Sequence, residues 1–190
     1  KDTRLLDVKW GEMAVAREWD KPHLGHGHYD EEESYRCWAV GAQVLNHYYG
    51  GNITQDEIKL KFKGYPGLAV FSDSVKAKIL GAFLHYYQGG LDTIYFSSLL
   101  LWVLNDYASL IRKDSLPSEN DVKTWIDAGV PLYVWTERHV MILDAYRVSL
   151  SGRMDVRLLN TDNDGTVEWR VLKSSALEGF IAATVNGPVR

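Results

Sequence analysis

The texture of this chain changes once, at Gly129, and that change limits the fold more than any other feature. After Gly129 the apolar residues come in short blocks or alternate with charged ones, separated by turn-formers, which predicts strands. The expected strands are Pro131 to Thr136, His139 to Val148, Asp155 to Leu159, Thr166 to Val171, and residues 179–185. Ser151-Gly152 and Asp164-Gly165 supply turns between them. Before Gly129 the pattern is mainly helical. A first helix is expected from Cys37 to Tyr49, with Ala39, Val40, Ala42, Val44 and Leu45 as its apolar side and Gly50-Gly51 as its end. Thr54 reads as the N-cap of a second helix, and Ser72 or Asp73 as the start of a third running through Phe83. A fourth is expected over 97–112. Ser118 caps a short fifth helix closed by Gly129. Residues 1–36 read as an extended arm and loop. Helices first and antiparallel strands second make an α+β pattern, with a helical lobe at about 37–128 and a sheet lobe at about 129–190. A cleft between two such halves is a natural place for a site.

Charge and cysteine content exclude several classes of function. The net charge is −4 and no cluster of Lys and Arg stands out, so no nucleic-acid partner is expected. The greasiest run, Phe96 to Leu104, is too short to cross a membrane and is stopped by Asn105 and Asp106. The single cysteine, Cys37, excludes an internal disulfide and any metal site built on several thiolates. The loop histidines His23, His26 and His28 have no acidic or Cys partner at metal-ligand spacing and read as a solvated loop. Asp162-Asn163-Asp164-Gly165 has the look of a calcium loop but lacks the distal Glu, and reads as a hairpin turn. No metal or organic cofactor is expected. The chain opens at Lys1 with neither Met nor signal peptide, which reads as a trimmed or mature form.

A lone cysteine is either a small buried hydrophobe or a reactive thiol, and its neighbours decide between them. Cys37 stands where the loop segment meets the first long helix. Unpaired N–H groups and the positive end of the helix dipole gather at that point. Both favour a thiolate, and the same N–H groups can hold an oxyanion after attack on a carbonyl. A thiol nucleophile also needs a base. Among six histidines, His139 opens an apolar strand directly after the polar stretch Thr136-Glu137-Arg138, on a fixed platform. His47 lies ten residues along the Cys37 helix, almost three turns away and out of reach. The base in turn needs an orienter. Asn160 ends the strand after the His139 strand, and an antiparallel neighbour brings either Asn160 or Asp162 back towards His139. As isolated residues, His139 also reads as a strand histidine satisfied by a carbonyl, and Asn160 as an ordinary turn residue.

Three segments, in order, carry a resemblance. Cys37-Trp38-Ala39-Val40-Gly41-Ala42 opens a helix. Gly129-Val130-Pro131-Leu132-Tyr133-Val134 precedes His139-Val140-Met141-Ile142-Leu143-Asp144-Ala145-Tyr146. Val156-Arg157-Leu158-Leu159-Asn160-Thr161-Asp162 follows. Together they resemble the nucleophile helix, the His strand and the third-residue strand of papain-like cysteine peptidases. Leu45-Asn46-His47-Tyr48-Tyr49 resembles the end of the nucleophile helix in secreted bacterial members, the immunoglobulin-cleaving branch above all, with streptopain, staphopain and the C39-like peptidases more distant.

The resemblance implies a papain-like fold and a cysteine endopeptidase acting on protein or peptide substrates. Cys37 would be the nucleophile, His139 the base and Asn160 or Asp162 the orienter. It also implies a secreted or cell-surface bacterial protein. Two other readings share the scaffold: a binding or adhesion module with impaired catalysis, and a cysteine-dependent acyltransferase. One departure stands out. Most of the family has a Gln a few residues before the Cys as an oxyanion donor, and the immunoglobulin-cleaving branch has a Lys. Here Tyr29-Asp30-Glu31-Glu32-Glu33-Ser34-Tyr35-Arg36 offers neither. The candidates for that role are Ser34, Tyr35, His28 and His26. Without them the Cys37 N–H acts alone, at a cost of roughly 3 kcal/mol in barrier.

Overall fold

The computed structural model describes residues 5–10, 37–63, 91–160 and 167–190. The expected third helix after Ser72 or Asp73, the histidines His23, His26 and His28, the run Glu31 to Tyr35, and the turn holding Asp162 and Asp164 lie outside the described residues.

Four α-helices are described: α1 Cys37–Tyr48, α2 Gln55–Lys63, α3 Phe96–Val103 and α4 Glu119–Asp127. Their ends follow from local chemistry. Thr54 and Glu57 satisfy each other at the start of α2: the Thr54 N–H donates to the Glu57 carboxylate at 2.7 Å and the Glu57 N–H donates to Thr54 Oγ1 at 3.2 Å. Ser118 and Asp121 do the same at the start of α4. Three helices stop alike. Beyond α1, Gly50 N–H donates to His47 O and Gly51 N–H to Asn46 O, with Gly50 at φ 90°. Beyond α4, Gly129 N–H donates to Ile126 O and Val130 N–H to Trp125 O, with Gly129 at φ 74°. Beyond α3, Asn105 N–H donates to Trp102 O and Asp106 N–H to Leu101 O, with Asn105 at φ 57° and Asp106 at φ 60°. Each pair of bonds is a Schellman closure, which satisfies the last carbonyls of the helix through a left-handed residue.

The third closure overturns an expectation. A helix over 97–112 does not form; α3 ends at Val103, and Ala108–Lys113 is strand β2. The reason is the left-handed pair Asn105-Asp106, after which side chains alternate between half-buried and exposed as on an edge strand. A second correction concerns the arm: Leu5–Trp10 is strand β1 rather than loop. The sheet therefore draws on three regions of the chain and is not confined to 129–190.

The other strands fall where the alternation places them: β3 Leu132–Trp135, β4 Val140–Ser149, β5 Met154–Asn160, β6 Val167–Val171 and β7 Gly179–Val185. All pairings are antiparallel, in the order β2-β7-β3-β4-β5-β6. The long strand β4 pairs with β3 along its first half and with β1 along its second. With helices and an antiparallel sheet packed together, the fold is α+β.

The sheet separates two cores, and neighbouring residues of one strand serve different ones. Tyr133, Trp135, Val140, Ile142, Leu159, Ile181 and Ala183 pack with α1 and α3, whereas Leu132, Val134, Met141, Leu143, Leu158, Phe180 and Ala182 pack with Val122 and Ile126 of α4. Burial on both faces explains why β3 is apolar at every position. Helix α1 is buried all round from Cys37 to Asn46, as a central helix must be.

Gly179, at the start of β7, is required by its neighbour. A Cβ there would sit 2.1 Å from Cζ2 of Trp135. The indole cannot step aside cheaply, because the Arg112 guanidinium lies 5.2 Å from the ring centroid and Phe96 packs edge-on at 5.3 Å. Gly179→Ala is expected to cost about 1–3 kcal/mol by overpacking, seen as a lower urea midpoint at unchanged m. An unchanged midpoint would mean that the ring yields.

Candidate active site

Cys37 is the first residue of α1 and is 8% exposed, so its thiol lies at the helix N-terminus as the sequence leads one to expect. Two features set that end of the helix against the sheet. At Gly41, one turn further on, a Cβ would meet Tyr133 Cε2 and Val140 Cγ1 at 3.0 Å each. The missing side chain lets α1 sit tightly on β3 and β4. The Tyr133 hydroxyl donates to the Trp38 carbonyl at 3.0 Å. Tyr133 is fully buried, and burial first and the charge of Cys37 second push its pKa well above the usual phenol value. The phenol thus stays a donor at any physiological pH.

The far end of α1 is fixed by Asn46, which is fully buried. Its Nδ2 donates to Val103 O at 2.7 Å and to Arg190 O at 2.8 Å, and its Oδ1 accepts from Ile53 N–H at 3.1 Å. With its polar groups satisfied, this buried amide ties the helix to the loop just beyond it and to two distant parts of the chain. His47 also belongs to this end, with Nε2 2.9 Å from Ile53 O.

His139 closes the β3–β4 turn, where the Thr136 N–H donates to His139 O at 2.8 Å. Asn160 is the last residue of β5 and faces Met141 across the ladder. That register brings Asn160 Oδ1 to 2.6 Å from His139 Nε2. A carboxamide oxygen only accepts, so Nε2 carries the proton, and Nδ1 carries the lone pair of the neutral ring. Cys37 Sγ accepts the main-chain N–H of Val140, the residue after His139, at 3.4 Å. One end of the sheet therefore gathers Cys37, His139 and Asn160 from three elements. Asp162, the alternative orienter, lies outside the described residues.

The residue types did not announce the contacts of Tyr133, Gly41 and the Val140 amide. Tyr133 reads as one more apolar residue of a buried strand, and a main-chain donor has no side-chain signature at all.

No family model matches the chain, and no curated protein matches it. Among solved structures, one match is a crystal structure of UfSP from C. elegans, at 10% identity and a TM-score of 0.39, covering 63% of this chain and 26% of that one. The chain thus spans about a quarter of the length of that protein. No helix among the described residues is long and apolar enough to cross a membrane.

Proposed function

We propose that this protein is a papain-like cysteine peptidase that hydrolyses peptide bonds, with Cys37 as nucleophile, His139 as general base and Asn160 as its orienter. The observation that carries the reading is one geometry. A thiol at a helix N-terminus rests against the residue that follows a histidine, and that histidine is held by a carboxamide at 2.6 Å.

The chemistry follows from the parts. Asn160 holds the imidazole in the tautomer with its lone pair on Nδ1, which accepts the Cys37 proton. The thiolate attacks the peptide carbonyl carbon, and the π electrons move to oxygen. The Cys37 N–H at the start of α1 stabilises that oxyanion. His139 gives its proton to the leaving nitrogen as the C–N bond breaks, leaving a thioester. Water, deprotonated by His139, attacks the thioester and releases the acid and the thiol.

The test is the rate of Cys37 alkylation by iodoacetamide against pH, together with hydrolysis of an unfolded protein such as casein. The expected result is fast alkylation already at about pH 5–6, slowed by His139→Ala, and no hydrolysis by Cys37→Ala. Full hydrolysis by Cys37→Ala would end this mechanism. A rate that rises only near the ordinary thiol pKa of about 8.5 would favour the binding-module reading. Products that form only with an added amine would favour acyl transfer.

A further inference from the structure

The antiparallel register decides where the Val140 amide points. Trp135 and Val140 are partners across β3 and β4, and the Thr136 N–H donates to His139 O. That closing bond makes Trp135 and Val140 a non-hydrogen-bonded pair, so the Val140 N–H does not enter the β3–β4 ladder. It faces the β5 side of β4 instead. On that side it donates to Cys37 Sγ, at 3.4 Å. A buried N–H must find an acceptor. Sulfur is a weak one as a thiol, and a charge-assisted one as a thiolate.

Resting on the peptidase reading above, we propose that the main-chain N–H of Val140 is a thiolate donor, which stabilises ionised Cys37 and holds Sγ at the start of β4. A hydrogen bond to the charged form favours that form. The thiol proton passes to His139, and the electron pair left on sulfur is the one the Val140 N–H binds. When sulfur bonds to the substrate carbon it loses that charge, and the donor bond weakens. When the thioester C–S bond breaks, the charge returns to sulfur and the donor again favours its departure. Lowering a thiol's pKa also lowers its intrinsic nucleophilicity, but by less than half as steeply as it raises the thiolate fraction. The gain in attack therefore falls on the acid side of the midpoint, where the thiolate fraction is still rising. Among the described residues, two titratable groups belong to this site: His139, next to Val140, and Tyr133, whose buried phenol stays protonated.

The experiment replaces Val140 by its α-hydroxy acid counterpart through nonsense suppression, which removes the N–H and keeps the side chain. The midpoint of the Cys37 alkylation profile is expected to rise by about one pH unit, with about tenfold slower alkylation on its acid side. The same exchange at Met141, whose N–H does enter the β3–β4 ladder, should lower the melting temperature without moving the midpoint. In the unmodified protein, the Val140 amide proton should shift downfield in NMR spectra with the alkylation midpoint, and not in Cys37→Ala. An unmoved midpoint in the Val140 ester, with the parent profile low and dependent on His139, would overturn the donor and leave the peptidase reading standing. Equal shifts from both esters would also overturn it. An ordinary thiol profile in the parent would remove the peptidase reading and this inference together.

Discussion

His139→Ala is expected to lower casein hydrolysis by about 10²–10⁴-fold, the usual worth of a general base, with the fold unchanged by circular dichroism. Asn160→Ala should cost less, roughly tenfold, because it removes one hydrogen bond of about 1.5 kcal/mol and leaves the base in place. The ordering follows from the geometry: Asn160 meets the base at His139 Nε2, at 2.6 Å, and does not itself take the thiol proton. Asn160→Ala should also free the ring to take its other tautomer, so its loss should fall on kcat rather than KM. A greater loss from Asp162→Ala than from Asn160→Ala would move the orienting role to Asp162. A His139→Ala protein as active as the parent would leave Cys37 without its base and end the mechanism.

What was legible in the sequence depended on how local the deciding physics is. Helix starts and stops at Thr54, Ser118, Gly50 and Gly129 are local, and the structure keeps them. The strands after Gly129 were legible because each is bounded by turn residues. Strand β2 was hidden because no Gly or Pro separates Ala108-Ser109-Leu110-Ile111 from α3, and the break rests on two non-glycine residues at positive φ. Strand β1 was hidden because its reason to be a strand lies far away, on the second half of β4. The order Cys37, His139, Asn160 was legible as residue types in sequence. Their convergence depends on the pairing of Met141 with Asn160, and on the close approach of α1 over Gly41. Neither has a local signal.

A buried charge pair lies at the bulge in that pairing, and it gives the largest expected effect on stability. Leu143 pairs with Leu158 and Ala145 with Arg157, so Asp144 is the extra residue of a bulge in β4. Asp144 is wholly buried and Arg157 is 4% exposed. The Arg157 Nε donates to Asp144 Oδ1 at 2.7 Å, and Nη2 donates to Oδ2 beside it, a two-pronged pair. Bringing two charges out of water costs several kcal/mol per ion, so the pair is weak evidence of net stabilisation, yet breaking it leaves a buried charge uncompensated. Asp144→Ala is therefore expected to cost about 3–5 kcal/mol, lowering the melting temperature by about 10 °C for a chain of this size. Adding Arg157→Met should recover most of that loss, because the orphaned guanidinium goes with it. Single costs that simply add in the double variant would show that the two charges are not coupled. Activity separates a second role. A one-residue slip of β5 against β4 would turn every β5 side chain to the other face and carry Asn160 away from His139. If the charge pair pins the bulge, the double variant regains stability but not turnover; if packing alone pins it, both return.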